Sequence, residues 1–144
     1  MSAQSSRGFP RRALFGLLAA SVFLASSVAR AGTYLNSATL LLAQASNEAD
    51  YLRARINDKE LAELIHKLAD ARLGAGKGML VPKEVVQAHP HLLLVLENYE
   101  RAADAATRGE AAKFLVYQQR ARDEDRTFRG VLKQFGYSLP EPKP

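Results

Sequence analysis

Cysteine is absent from this 144-residue chain. That excludes disulfides, thiolate metal sites and the Cys-x-x-Cys-His attachment of a covalent haem. It also closes the lipoprotein route, because no cysteine follows the apolar N-terminal run. Methionine is scarce, and beyond Met1 the only one is Met79. Histidine occurs three times, at His66, His89 and His91. No acidic residue stands before Gly32. Long apolar runs are missing too, with one exception, Ala13 to Val28. That run is 16 residues long, short of the roughly 20 that a membrane span needs.

The exception explains the composition. Arg7, Arg11 and Arg12 precede the apolar run, and Ala29-Arg30-Ala31 follows it with small residues at the positions a signal peptidase reads. Residues 1–31 therefore read as a secretory signal peptide cut after Ala31, leaving no stable membrane span after cleavage. Arg11-Arg12 also fits the twin-arginine route, but no cofactor motif follows, and ordinary Sec export is the preferred reading. The chain is expected in the periplasm or the medium. The overall net charge of +5 comes from 20 basic and 15 acidic residues. Four of the basic residues (the three above and Arg30) lie before Gly32, which leaves 16 against 15 and a net charge of +1. A nucleic-acid partner is not indicated. The remaining chain suffices for one domain with one core, stabilised by packing alone.

Four helical patterns follow. Leu35, Ala38, Leu42, Ala45, Ala49, Leu52 and Ile56 alternate spacings of three and four, a coiled-coil-like seam. Asn57 with Glu60 makes a capping box for a second helix, whose face is Leu61, Leu64, Ile65 and Leu68 and which should end before Gly74. Residues 74–81 form the one longer loop. Its Gly-Lys is not a phosphate loop, since Ala71 and Gly78 occupy the positions that need glycine and a hydroxyl residue. Pro82 suits the first turn of a third helix with the seam Val85, His89, Leu92, Leu96, Tyr99, Ala103 and Ala106. That register runs through Pro90, which predicts one helix kinked there. Thr107 with Glu110 forms a second capping box around Gly109. A fourth helix carries Phe114, Gln118, Ala121, Asp125, Phe128, Leu132 and Phe135 on one face, and Gly136 ends it. The fold class is all-α, an up-down-up-down four-helix bundle over residues 32–136. Residues 137–144, with three prolines in the last five, should form an extended, mobile tail.

No catalytic set emerges, and an enzyme is not expected. Glu63-x-x-His66 has the spacing of half a di-metal site, but it falls on the polar face and no second copy exists. A haem bundle would lack ligands, since the first and fourth helices hold no histidine. No cofactor or metal site is assigned. Arg72, His89 and Asp125 come to similar depth in the bundle at ~1.5 Å per residue, which predicts a buried polar cluster. Asp123-Glu124-Asp125 with its flanking arginines reads as a solvated, salt-bridged surface.

The third helix carries a second apolar stripe, Val86, Pro90, Leu93 and Leu94, beside its seam. Met79, Leu80, Val81, Tyr137 and Leu139 are expected to cover it within the monomer. If they do not, it is the surface for a protein partner or a homodimer. The function expected from the sequence is an exported, non-enzymatic helical module for structure or protein interaction. The alternative is a periplasmic bundle binding a small ligand, metal or haem.

Overall fold

In a computed structural model, the backbone is described from residue 13 to 140 and the side chains from 28 to 140. Arg7, Arg11, Arg12 and the last four tail residues lie outside the described residues, as do the side chains of the apolar run up to Ser27. Among the described residues the chain is all-helical: α1 (Ala13–Arg53), α2 (Lys59–Lys77), α3 (His89–Thr107) and α4 (Ala111–Gln134), with one 3-10 turn at Lys83–Val85. Among the described residues there is no strand.

The helices pack as a bundle around α3, which contacts each of the other three. The α1 seam behaves as its spacing predicts, with Ala38, Leu42, Ala45, Ala49 and Leu52 all buried. It begins earlier than expected, since Tyr34 and Ala31 are buried as well. α1 continues as helix through residues 29–32, where the signal-peptidase site was expected.

α2 departs from its sequence reading at both ends and on its face. Its cap is Asp58, one residue past Asn57, whose carboxylate accepts from the Leu61 N–H at 3.0 Å. At the other end the helix passes through Gly74 and Gly76 and stops at Lys77. The buried residues are Ala62, Ile65, Ala69, Arg72, Leu73 and Gly76, whereas Leu64 and Leu68 are exposed. The contact with α3 is built from small side chains that let the backbones approach, so the large leucines are left outside. Gly76 is required there, because a Cβ would stand 2.7 Å from Leu96 Cδ1 and 3.3 Å from Leu93 Cδ2. A Cβ on Gly74 would meet nothing within 4 Å.

Two substitutions in one helix should therefore act in opposite directions. Gly74→Ala is expected to stabilise by about 0.5–1 kcal/mol through helix propensity. Gly76→Val should destabilise by about 1–3 kcal/mol by overpacking. Urea midpoints decide this, and shifts of the same sign would disprove the close α2–α3 approach at Gly76.

Pro90 does not kink a helix. α3 starts at His89, with Ala88 as its cap, so Pro90 lies in the first turn. The first-turn N–H groups have no intrahelical partner, and a proline there loses nothing. Pro82 precedes the 3-10 turn, and residues 86–88 turn the chain into α3. The hydrophobic register survived the break because Val85 and Ala88 are buried on the same side as Leu92. The Thr107–Glu110 box is also absent. Thr107 donates instead to the Asp104 carbonyl at 2.6 Å, and Glu110 caps α4 without a side-chain bond. Gly109 (φ 73) and Gly136 (φ 83) make the left-handed turns that end α3 and α4.

The core is filled at one end by Leu52, Phe114 and the alanines of α3, and at the other by Leu42, Leu92, Leu96, Phe128 and Leu132. Past Gly136 the chain has no regular structure through Pro140, yet it is not loose there. Leu139 is buried in the core, and Tyr137 packs against it.

Candidate functional site

The predicted cluster of Arg72, His89 and Asp125 does not assemble, and each of the three has a different partner. Buried Arg72 donates from Nη2 to Glu48 Oε1 at 2.6 Å, joining α2 to α1. Asp125 accepts from Arg129 Nε one turn further along α4, at 3.1 Å to each oxygen. His89 Nδ1 lies 3.0 Å from the Tyr34 hydroxyl on α1. Equal depth along an axis does not bring side chains together unless their helices are also turned toward one another. Glu48 could not be found from apolar spacing, since it lies beside the α1 seam and not within it. Its second oxygen, Oε2, is buried without a hydrogen-bond partner.

Every histidine ties α3 to a different neighbour. His89 reaches α1 through Tyr34. His66 Nε2 of α2 meets Glu100 Oε1 at 2.8 Å, and His91 Nδ1 meets Glu124 Oε2 of α4 at 3.2 Å. His66 is thus partnered across an interface, contrary to the solvated face its sequence position suggested. A further polar tie joins α1 to α4. Asp50 Oδ1 accepts from the buried Gln118 Nε2 at 2.8 Å and from Arg122 Nη2 at 2.7 Å. Of the arginines flanking the 123–125 run, Arg122, Arg126 and Arg129 form ion pairs, with Asp50, Asp123 and Asp125 respectively.

Burial shifts the titration of Tyr34, His89 and Tyr99. It raises the Tyr34 phenol and lowers the His89 imidazole. The phenol therefore keeps its proton, and the direction of its bond with Nδ1 follows the imidazole tautomer. It also raises Tyr99, partly opposed by a hydrogen bond with Ser46. The sign for His89 follows from linkage. Its folded pKa lies below the unfolded value of about 6.5, so the native state binds fewer protons and stability falls as pH drops through and below that value. His89→Gln should remove this part of the acid loss. Urea titrations of both proteins from neutral to mildly acidic pH check it, and identical pH slopes would refute it.

Of the spaces between the helices, two adjoin these groups. One is a groove of about 760 Å³ between Ala29–Ser37 of α1 and Met79–Pro82, with Tyr34 at its wall. The other is a cavity of about 140 Å³ among α1, α3, α4 and the tail, lined by Ser46, Asn47, Tyr99, Asp125, Arg129 and Pro140. Most of its polar groups are already engaged, Tyr99 with Ser46 and Asp125 with Arg129. Among the described residues no group of three or more His, Cys, Asp or Glu is gathered as metal ligands.

The second stripe on α3 remains open. Val86 is 52% exposed and Leu94 39%, and Pro90 is exposed too. Only Leu93 is partly sheltered, beside Gly76. The expected cover lies elsewhere, since Met79, Val81, Tyr137 and Leu139 pack into the core. Leu80 covers nothing and is 94% exposed. Other sides of α3 are already occupied by α1, α2 and α4, which is why this one has no neighbour. Among the described residues no helix is long and apolar enough to cross a membrane.

The fold and this surface define the chain as an all-helical bundle protein. Comparison with known proteins finds no matching family model, no matching curated protein and no matching solved structure.

Proposed function

We propose that this chain is an exported, non-enzymatic up-down-up-down bundle that acts as a protein-interaction module through the outer face of α3. The N-terminal arginines, the apolar run and the Ala-Arg-Ala site support export. The observation that carries the interaction reading is the uncovered stripe of Val86, Pro90 and Leu94. Pro90 and Leu94 on the α3 face, with Val86 in the turn before it, are apolar groups left in water, which mark a contact surface. The partner is a second copy of the chain or another exported protein. Light scattering of the purified protein, together with a photo-crosslinking residue at position 94 in the producing cell, tests this. A concentration-dependent dimer or a discrete adduct is expected. A strict monomer without any adduct would sink the reading.

A second reading, a bundle that binds a small ligand, metal or haem, draws support from the polar cavity beside Tyr99. At about 140 Å³ that cavity is smaller than the ~300–1,000 Å³ of ordinary ligand sites. It suits a molecule of a few heavy atoms and not a haem. An absorption spectrum and metal analysis of the purified protein separate the two readings.

A further inference from the structure

The end of the bundle where α2 stops and α1 enters carries a feature the interaction reading does not use. Leu80 stands at the tip of the Gly78–Pro82 connection, 94% exposed, the most open of the exposed large apolar side chains among the described residues. A buried contact does not hold it there, and the neighbouring Met79 and Val81 already supply the core contacts of this connection. Lys77 precedes it as the last residue of α2, and Lys83 follows Pro82. Arg30 lies across the groove that Leu80 and Pro82 line. All three basic residues are exposed, and none forms an ion pair among the described residues. The one acid in this stretch is Glu84, which is half-buried. One exposed leucine ringed by unpaired cations is the pattern of a shallow membrane contact, in which the apolar group enters the interface and the cations meet anionic headgroups.

We propose that this end of the bundle is a lipid-facing surface. Leu80 inserts into the interfacial layer of an anionic bilayer, while Lys77, Lys83 and Arg30 engage its headgroups. One apolar group with a few charges gives weak, reversible attachment, so the surface orients the bundle and does not anchor it. The inference is independent of what binds the α3 stripe. It holds whether residues 1–31 are kept or removed, since cleavage would leave an α-amino group on Gly32 close to the lost Arg30.

The chain contains no tryptophan, which makes a single reporter clean. Leu80→Trp in the full chain, added to phosphatidylcholine–phosphatidylglycerol vesicles, should show a blue-shifted emission that lipids brominated on the acyl chain quench. Val116→Trp, at an exposed site toward the opposite end of the bundle on α4, should keep water-like emission and so controls for general adsorption of the bundle. In the Leu80→Trp background, Lys77→Gln with Lys83→Gln should abolish the shift, as should vesicles of phosphatidylcholine alone. Water-like emission from position 80 on anionic vesicles would overturn the proposal. So would a shift of equal size at position 116, or one indifferent to lipid charge.

Discussion

Replacing Arg72 with methionine will destabilise the protein by about 2–4 kcal/mol, more than a surface charge is worth. Arg72 is 8% exposed and its guanidinium donates to Glu48 at 2.6 Å. With the guanidinium gone, the Glu48 carboxylate has a second oxygen already buried without a partner and a first that has lost its donor. Glu48 keeps some access to water, its side chain being 28% exposed. The cost therefore falls toward the low side of the roughly 3–5 kcal/mol that breaking a fully buried pair incurs. Removing both charges at once, as Arg72→Met with Glu48→Leu, should recover most of the loss, because two apolar groups leave nothing unsatisfied. Asp125→Asn in the Arg72→Met background should add little, since Asp125 pairs with Arg129. Urea unfolding at constant m-value measures all four proteins. A single mutant with the wild-type midpoint would show that the Arg72–Glu48 pair is not buried. Rescue by the change at 125 in place of 48 would assign the wrong acid.

That pair also marks how far the sequence could be read. The α1 seam was legible, because alanines and leucines alternating at three and four allow one inward face, and those residues are the buried ones. The ends of α3 and α4 at Gly109 and Gly136 were legible for a related reason, since a left-handed turn strongly favours glycine. The face of α2 was not. The apolar spacing puts Leu64 and Leu68 on the inner face, whereas the contact selects small residues that admit α3 closely. Once the face turns, Arg72 turns with it, toward Glu48 and away from α4. Gly74 suggests a stop on propensity, about 1 kcal/mol against alanine, yet the helix runs on to Lys77 and packs at Gly76 against Leu93 and Leu96. At Pro90 the periodicity was right and the continuity wrong. A 3-10 turn and a bend can keep apolar residues on one side as well as a helix does.

The polar ties were the least legible feature. Tyr34–His89, His66–Glu100, His91–Glu124 and the Asp50 node all join residues 33 or more positions apart. Such partners depend on the rotation of both helices, and no local pattern encodes that. What the sequence did indicate was the residue type. A histidine at the edge of an apolar face needs a partner, and here α3 or its neighbour supplies one each time.

The α3 stripe was legible as a set of residues but not in its fate, and Leu94→Asp separates the possible fates. Leu94 lies about 200° around the helix from Leu92, and Leu92 is fully buried while Leu94 is 39% exposed. A charge at position 94 therefore points into water in the monomer, and the cost to monomer stability should stay within about 0.5 kcal/mol. In an assembly the same carboxylate would be trapped against apolar surface, where an unpaired charge costs several kcal/mol. At about 1.4 kcal/mol per tenfold in affinity, that is a loss of at least a hundredfold. The expected outcome is a variant that unfolds at the wild-type urea midpoint and has lost the dimer mass seen with wild type, or the adduct formed through a crosslinking residue at Val86. Leu92→Asp should instead fail to fold, which shows that the test distinguishes the two faces. If Leu94→Asp unfolds much earlier than wild type, the stripe is covered within the monomer, and the partner surface must be sought elsewhere. If it keeps both its stability and its assembly, the stripe is ordinary surface and α3 serves only as the hub of the fold.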